Sequence, residues 1–289
     1  MENTEVMLEN VIEQLENALK NDDLYLARQL CADILVNFPE QPDATRILGS
    51  VSTKIGHNEA KRRFPGANYQ EWLSAFHRVL KPRGYLEIGI AGGNTLALAR
   101  EPSLAIGVDP AFKIECSLHA RTQLFRTTSD RFFLDYDIKK LLGGDILDMA
   151  FLDGLHTFDQ TLRDFMNVER DGHKQTVVLV HDIFPVEPIT AMRERISQFW
   201  LGDTWKLIPI LRRFRPDLKV FTIPTYPSGL AVISNLDPSS EILANHFDAI
   251  VAEYMTHLDE EIENAEAHLN IIPATPAAVF GAIGAAYSE

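Results

Sequence analysis

The spacing of apolar and polar positions divides the chain into a helical head, an alternating middle and a helical tail. From residue 1 to about 58, Val6, Leu8, Val11, Ile12, Leu15 and Leu19 recur at helical intervals. The polar turn Asn21-Asp22-Asp23 separates them from a second helical run, Leu24 to Phe38, and a third helix is expected to start near Pro42. A basic joint punctuated by glycine and proline, KRRFPGANY at Lys61 to Tyr69, reads as a domain boundary. An amphipathic helix follows, with Trp72, Phe76 and Leu80 four residues apart.

Beyond the joint, short apolar runs alternate with helical stretches. Strands are expected at Tyr85–Ile90, Leu104–Asp109, Thr122–Arg126, Leu147–Asp153 and Gln175–Val180, and Lys219–Ile223 and Leu230–Ile233 form a hairpin-like pair around PTYPSG. Helices are expected in a short piece near Thr95, from Arg131, around Phe158, Leu162, Phe165 and Met166, and over Pro188–Trp200. This alternation predicts an α/β fold with a doubly wound sheet, mostly parallel with one antiparallel strand, plus an N-terminal helical cap and a C-terminal helix. That last helix is expected from Asp237, with Ile242, Leu243, Phe247, Ile250, Val251, Tyr254 and Leu258 on one side and an acidic face running through Glu266. The expected units are residues 1–60, 61–235 and 236–289.

With 289 residues, 46% of them hydrophobic, the chain is long enough for one α/β domain with additions at its ends. The net charge of −14 is uneven: residues 236–289 carry no Lys or Arg against ten Asp and Glu, whereas residues 61–235 carry 23 against 20. Acidic flanks around a near-neutral centre argue against nucleic acid and anionic membranes as partners, because both are bound by neutralising phosphates. Neither a secretion pattern nor an uninterrupted spanning run is visible, so a soluble cytoplasmic protein is expected. Cys31 and Cys116 are expected to be buried free thiols.

The chemistry gathers at the strand ends. Gly89, Gly92 and Gly93, after the first strand, permit a sharp turn and a close backbone approach to a ligand. Asp109 comes 20 residues after Gly89, the interval at which an acid accepts hydrogen bonds from ribose hydroxyls, although the glycines do not spell G-x-G-x-x-G. Glu87, Asp109, Asp153 and Asp182 all fall near the carboxyl ends of expected parallel strands and would ring one crevice. Ser129 and Asp130 either flank an adenine ring or cap the helix from Arg131. Asp153 and Asp182 are likewise good N-caps, His181 serves as a ligand or as a core histidine, and Trp200, Trp205, Phe214 and Tyr226 wall an acceptor pocket or belong to the core.

Taken together, YLEIGIAGGN, AIGVDP, TTSD, MAFLDGLHTFDQTLRDF, VVLVHDIFP and RPDLKVFTIPTYPSGL resemble the class I S-adenosylmethionine (SAM) methyltransferases over about residues 64–235. Within that class they are most similar to a bacterial group related to sugar, natural-product and catechol-type O-methyltransferases. The resemblance implies a Rossmann-like sheet in which Glu87, Gly89 and Gly93 hold the methionine end of SAM, with Gly92 in the same loop, Asp109 on the ribose and Asp130 beside the adenine. It implies Asp153 and Asp182 as ligands of Mg²⁺ or another divalent cation, with His181 as a further candidate, and His156 as general base at a small-molecule acceptor such as a sugar. Catechol-type enzymes carry a further ligand where this chain has Ile183.

The segment LARQLCADILVNFPEQPDATRILGSVSTKIG resembles a tetratricopeptide unit, with Ala27, Pro39, Ala44, Leu48 and Gly49 in matching roles. One and a half units cannot close a solenoid, which needs about three repeats. A cap packed on the catalytic domain or on a second subunit is therefore expected, and with it a homo-oligomer held by the terminal helical segments. A nicotinamide-dependent oxidoreductase and a catalytically silent scaffold are the alternatives.

Overall fold

A computed structural model describes residues 2–144, 146–256 and 264–286. Seven strands make one sheet: β1 (Gly84–Ile88), β2 (Arg100–Val108), β3 (His119–Phe125), β4 (Leu147–Leu152), β5 (Val177–His181), β6 (Lys219–Ile223) and β7 (Leu230–Ser234). They lie side by side in the order β3-β2-β1-β4-β5-β7-β6, and β7 alone runs against its neighbours β5 and β6. The mostly parallel, doubly wound sheet with one antiparallel strand is thus as expected. Chain order reverses direction between β1 and β4, which pair in parallel, so a crevice opens beyond their carboxyl ends.

Alternate residues of the central strands feed two cores, as the two-residue period of a strand requires. Leu86, Ile88, Ala150, Leu152, Val178 and Val180 pack on one face with α7 (Phe158–Asp171), α8 (Leu207–Phe214) and α9 (Ile242–Met255). Tyr85, Met149, Phe151, Val177 and Leu179 pack on the other with Trp72, Leu73 and Phe76 of α4 (Tyr69–Leu80) and with Phe280 of the last helix, Pro276–Ile283. Helix α4 starts sharply because Asn68 and Glu71 form a reciprocal capping box. Two small helices, α5 (Ser129–Asp135) and α6 (Ile138–Leu141), lie between β3 and β4.

The head forms α1 (Glu2–Lys20), α2 (Leu24–Asn37) and α3 (Pro42–Arg63), which runs past the expected boundary at 60. Asp23 caps α2 by accepting from the Leu26 N–H at 3.1 Å, and Pro42 sits in the first turn of α3. These helices share a core of Leu15, Ala27, Leu30, Cys31, Leu48, Val51 and Ile55, into which Ile189 and Ile196 reach from the sheet domain. Ile12 and Leu19, expected inside, stand 40% and 37% exposed. The side chain of Val6, and residues Leu258 and Tyr287, lie outside the described residues.

Four expectations are corrected. The helix near Thr95 is one 3₁₀ turn, Leu96–Leu98, because the Thr95 hydroxyl is drawn inward to Glu87 and β2 begins at Arg100. The helix over Pro188–Trp200 is also only a 3₁₀ turn, Pro188–Thr190. Beyond that turn the Gln198 N–H donates to Thr53 of α3, and the Trp200 indole donates to the Met192 carbonyl, so side chains take the place of helical bonds. The C-terminal helix begins at Ile242 and not Asp237, whose carboxylate accepts from the N–H and hydroxyl of Ser239 to make a turn. Its apolar side is spent on this chain's own core through Leu243, Ile250 and Tyr254, while Ile242 is exposed. Cys116 is half-buried, and both cysteines are free. No helix among the described residues is long and apolar enough to cross a membrane.

Candidate active site

A cavity of about 660 Å³ opens at the carboxyl ends of β1, β2, β4 and β5. One end is walled by Gly89, Asp109, Pro110, Thr127, Thr128, Ser129, Asp130 and Gln160, the other by Asp153, Gly154, Leu155, His156, His181 and Asp182. Among the described residues, no Lys or Arg lines it. Of the expected site residues, Gly89, Asp109, Ser129, Asp130, Asp153, His156, His181 and Asp182 meet here; Glu87, Gly92 and Gly93 do not.

Glu87 points from β1 into the α4 side and is fully buried. The Tyr85 hydroxyl donates to it at 2.6 Å and the Thr95 hydroxyl at 2.5 Å. Burial pushes its pKa up to about 8, opposed by those two hydrogen bonds, so it is a sealed internal carboxyl and not a cavity wall. Gly89 has φ of +85°, and a Cβ there would sit 1.9 Å from the Asp153 carbonyl oxygen. Glycine at this position therefore lets the turns after β1 and β4 lie against each other. Gly93, at φ +83°, answers a backbone need, whereas a Cβ on Gly92 would meet nothing nearer than 3.6 Å.

Asp109 binds the glycine loop. Its Oδ2 accepts from the N–H groups of Ile90 at 3.1 Å and Ala91 at 2.9 Å, and Oδ1 accepts from the Ala111 N–H at 2.6 Å. Carboxylate oxygens carry further lone pairs for a ligand hydroxyl. Thr128 is the cap residue of α5, so Ser129 and Asp130 are its first two residues, on the cavity wall. Gln160, unforeseen in the sequence, gathers them from α7 by donating to Ser129 Oγ at 3.2 Å, Asp130 Oδ1 at 2.9 Å and Asp164 Oδ1 at 3.1 Å.

At the other end two carboxylates and two imidazoles interlock. His156 Nε2 lies 3.1 Å from Asp182 Oδ2 and 3.5 Å from Asp153 Oδ1; His181 Nδ1 lies 3.2 Å from Asp153 Oδ1 and 3.5 Å from Asp182 Oδ2. Ser228, from the β6–β7 link, donates to Asp182 Oδ1 at 2.5 Å. Tyr69 stacks on His181 with centroids 4.1 Å apart, and Trp200 stacks on His156 at 5.2 Å while its carbonyl oxygen takes the Nδ1 side at 2.9 Å. Ser228, Tyr69 and the Trp200 carbonyl carry no sequence signal of a site. Of the four aromatics considered for an acceptor pocket, Trp200 backs His156, Tyr226 links to His57 of the cap, and Trp205 and Phe214 belong to or pack on the core.

Burial pulls both imidazoles toward the neutral form, but Asp182 and Asp153 outweigh it, raising His156 to about 9 and His181 to about 10. Burial pushes the two aspartates up and the imidazolium charges pull them further down, so both lie below the usual carboxylate range. With both aspartates ionised, their attraction favours the protonated form of His156.

Ligand atoms of Asp153, His181 and Asp182 lie within 4.8 Å of one another, which suits a divalent cation held by two carboxylates and an imidazole. Ile183 is fully buried in the core and contributes nothing.

No protein-family model and no curated protein sequence matches the chain. Solved structures of similar course include an S-adenosylhomocysteine-bound methyltransferase of Podospora anserina, 14% identical, covering 64% of this chain and 88% of that one, TM-score 0.45. An O-methyltransferase of Streptomyces achromogenes involved in tomaymycin synthesis, in complex with SAM, is 15% identical over 64% and 89%, TM-score 0.43. An O-methyltransferase of Bacillus cereus, in complex with S-adenosylhomocysteine, is 12% identical over 70% and 94%, TM-score 0.40. At these identities the likeness concerns fold alone.

Proposed function

We propose that the chain is a SAM-dependent O-methyltransferase acting on a hydroxyl of a small polar acceptor such as a sugar or sugar-bearing metabolite. The observation that carries this is the two-ended cavity. Asp109, Ser129 and Asp130 face it at one end, where a nucleoside's ribose and base need acceptors, and His156 with two aspartates faces it at the other. SAM supplies a methyl group on a sulfonium, which leaves by in-line displacement. The chain's part is to hold the acceptor oxygen in line and, in the deprotonated form of His156 that gains population toward pH about 9, to take its proton at Nε2, the nitrogen that faces Asp153 and Asp182. Asp153, Asp182 and His181 are the residues that would hold a divalent cation, whose charge offsets the carboxylates and lowers the pKa of an acceptor hydroxyl.

The absence of Lys and Arg from the cavity wall favours a neutral acceptor over a phosphate-bearing one. The cap retains exposed Ile12, Leu19, Tyr25, Leu26 and Val36, a surface for self-association, whereas α9 buries Leu243, Ile250 and Tyr254 in this chain's own core. The test of the central reading is calorimetric titration with S-adenosylhomocysteine: one site per chain, weakened in Asp109→Ala. No heat with the intact protein overturns it.

A further inference from the structure

Helix α3 of the cap and the imidazole of His156 both lean on one irregular segment, residues 188–203. On the site side, the Trp200 carbonyl oxygen lies 2.9 Å from His156 Nδ1 and the Trp200 indole stacks on the imidazole at 23°. The indole is itself pinned, its N–H donating to the Met192 carbonyl at 2.7 Å. Gly202 has φ of +60°, and a Cβ there would fall 1.7 Å from the His156 carbonyl oxygen, so the segment passes the base as closely as a backbone can. Asp203 Oδ1 then accepts from the Phe158 N–H at 2.9 Å, tying the segment to the start of α7.

On the cap side the same segment is seated on α3. A Cβ on Gly49 would sit 2.7 Å from the Ile196 carbonyl oxygen, and one on Gly56 would sit 2.6 Å from Cδ1 of Phe199. The Gln198 N–H donates to Thr53 Oγ1 at 3.0 Å, and Phe199 meets His57 edge-on at 4.6 Å. Between these contacts the seam is open, a cleft of about 690 Å³ walled by Ser50 and Lys54 on one side and Arg195 and Ser197 on the other. Ile189 and Ile196 of the same segment also pack into the cap core, so segment and cap are seated on each other by apolar as well as polar contacts. From Gln198 the chain needs only two residues to reach Trp200.

We propose that α3 is a positioning element of the site. Gly49, Thr53 and Gly56 set where residues 196–200 lie, and through Trp200 they set the orientation of His156. The proposal rests on the reading of His156 as the proton acceptor, and its force comes from how steeply proton transfer depends on placement: a displacement of about 1 Å can cost a hundredfold in rate. A second path runs the same way, since His57 Nδ1 lies 3.2 Å from the Tyr226 hydroxyl, the Tyr226 carbonyl accepts from the Tyr69 N–H at 3.0 Å, and Tyr69 stacks on His181. Both imidazoles of the site thus rest on aromatic rings that the cap helps to seat.

The test reads the imidazole and not the reaction. Ring-proton NMR signals of His156, assigned by their loss in His156→Gln, are expected upfield in the full-length protein because of the indole, and to move downfield in Trp200→Leu. That upfield displacement is expected to be lost in Gly49→Ala and in Thr53→Val and kept in Thr53→Ser, with circular dichroism and S-adenosylhomocysteine affinity unchanged. Unaltered His156 signals in a folded Gly49→Ala and Thr53→Val overturn the proposal, as does the absence of any indole effect in the parent. If Gly49→Ala does not fold, Thr53→Val decides. If the parent binds no S-adenosylhomocysteine, the methyltransferase reading fails while the ring signals still decide the brace.

Discussion

The Ser228 hydroxyl donates to Oδ1 of Asp182 at 2.5 Å, joining the β6–β7 link to the carboxylate that ends β5. Asp182 needs that support, for its φ of +57° is a conformation few non-glycine residues adopt, and its carboxylate is nearly out of water beside Asp153. Ser228→Ala leaves a buried carboxylate one donor short. The expected outcome is a loss of about 1.5–3 kcal/mol in urea unfolding, the range for a hydrogen bond to a charged group. Affinity for Mn²⁺ should fall about 10- to 100-fold, as when an outer partner of a ligating carboxylate is removed. Unchanged stability and unchanged Mn²⁺ affinity would show that the contact does no work.

The ion site and the base are separable. Calorimetric titration of the parent with Mn²⁺ should show one site, abolished in Asp153→Asn and in Asp182→Asn. With extracts as the source of acceptor and labelled SAM as donor, His156→Ala should lower transfer by about two to four powers of ten, the usual contribution of a positioned base, while S-adenosylhomocysteine affinity holds. If chelator changes nothing but His156→Ala abolishes transfer, the metal assignment is wrong and the base stands. Full transfer in His156→Ala removes the base. Label found only on nucleic acid or protein would refute the small-molecule acceptor.

Two buried carboxyls make stability fall as pH rises. Burial pushes Asp164 up to about 7, against hydrogen bonds from Ser129 and Gln160, and Glu87 up to about 8. In each case the folded state holds a proton that the unfolded chain has released, so folding is favoured below the ordinary carboxylate pKa near 4. That advantage is lost progressively up to pH 7 for Asp164 and 8 for Glu87. Asp164→Asn should remove its share: between pH 5 and 8 the variant's urea midpoint should decline less steeply than the parent's. Parallel profiles sink the assignment.

The three glycines of the loop should not respond alike. Gly89→Ala combines a left-handed backbone with a Cβ driven into the Asp153 carbonyl, so it should cost more than the roughly 1–2 kcal/mol of the conformation alone and should weaken S-adenosylhomocysteine binding. Gly92→Ala has room and should shift the melting temperature little. Equal melting temperatures for the two variants would contradict the geometry around Gly89.

The strands, their order of occurrence and three of the four acids at their ends were legible in the sequence. A strand buried on both faces must be an apolar run, and the residue that ends it is local information: Asp109, Asp153 and Asp182 could be placed by counting. The turn at Gly154 and the nearness of His156 to Asp153 are local in the same sense. What the sequence could not show is which partners arrive from elsewhere. Glu87 reads as a strand-end acid, but its position within β1 turns it to the α4 face, where Tyr85 and Thr95 enclose it. Pro188–Trp200 reads as a helix because helical periodicity is a local pattern, while its hydrogen bonds are taken by α3 and by its own side chains. Ser228, Gln160, Tyr69 and the Trp200 carbonyl meet the expected site residues through contacts 30 or more residues away in the chain. Tertiary structure alone also decided the ionisation of His156, because a pKa depends on burial and on charges brought near by folding, and the carboxylate that moves it most belongs to a different strand.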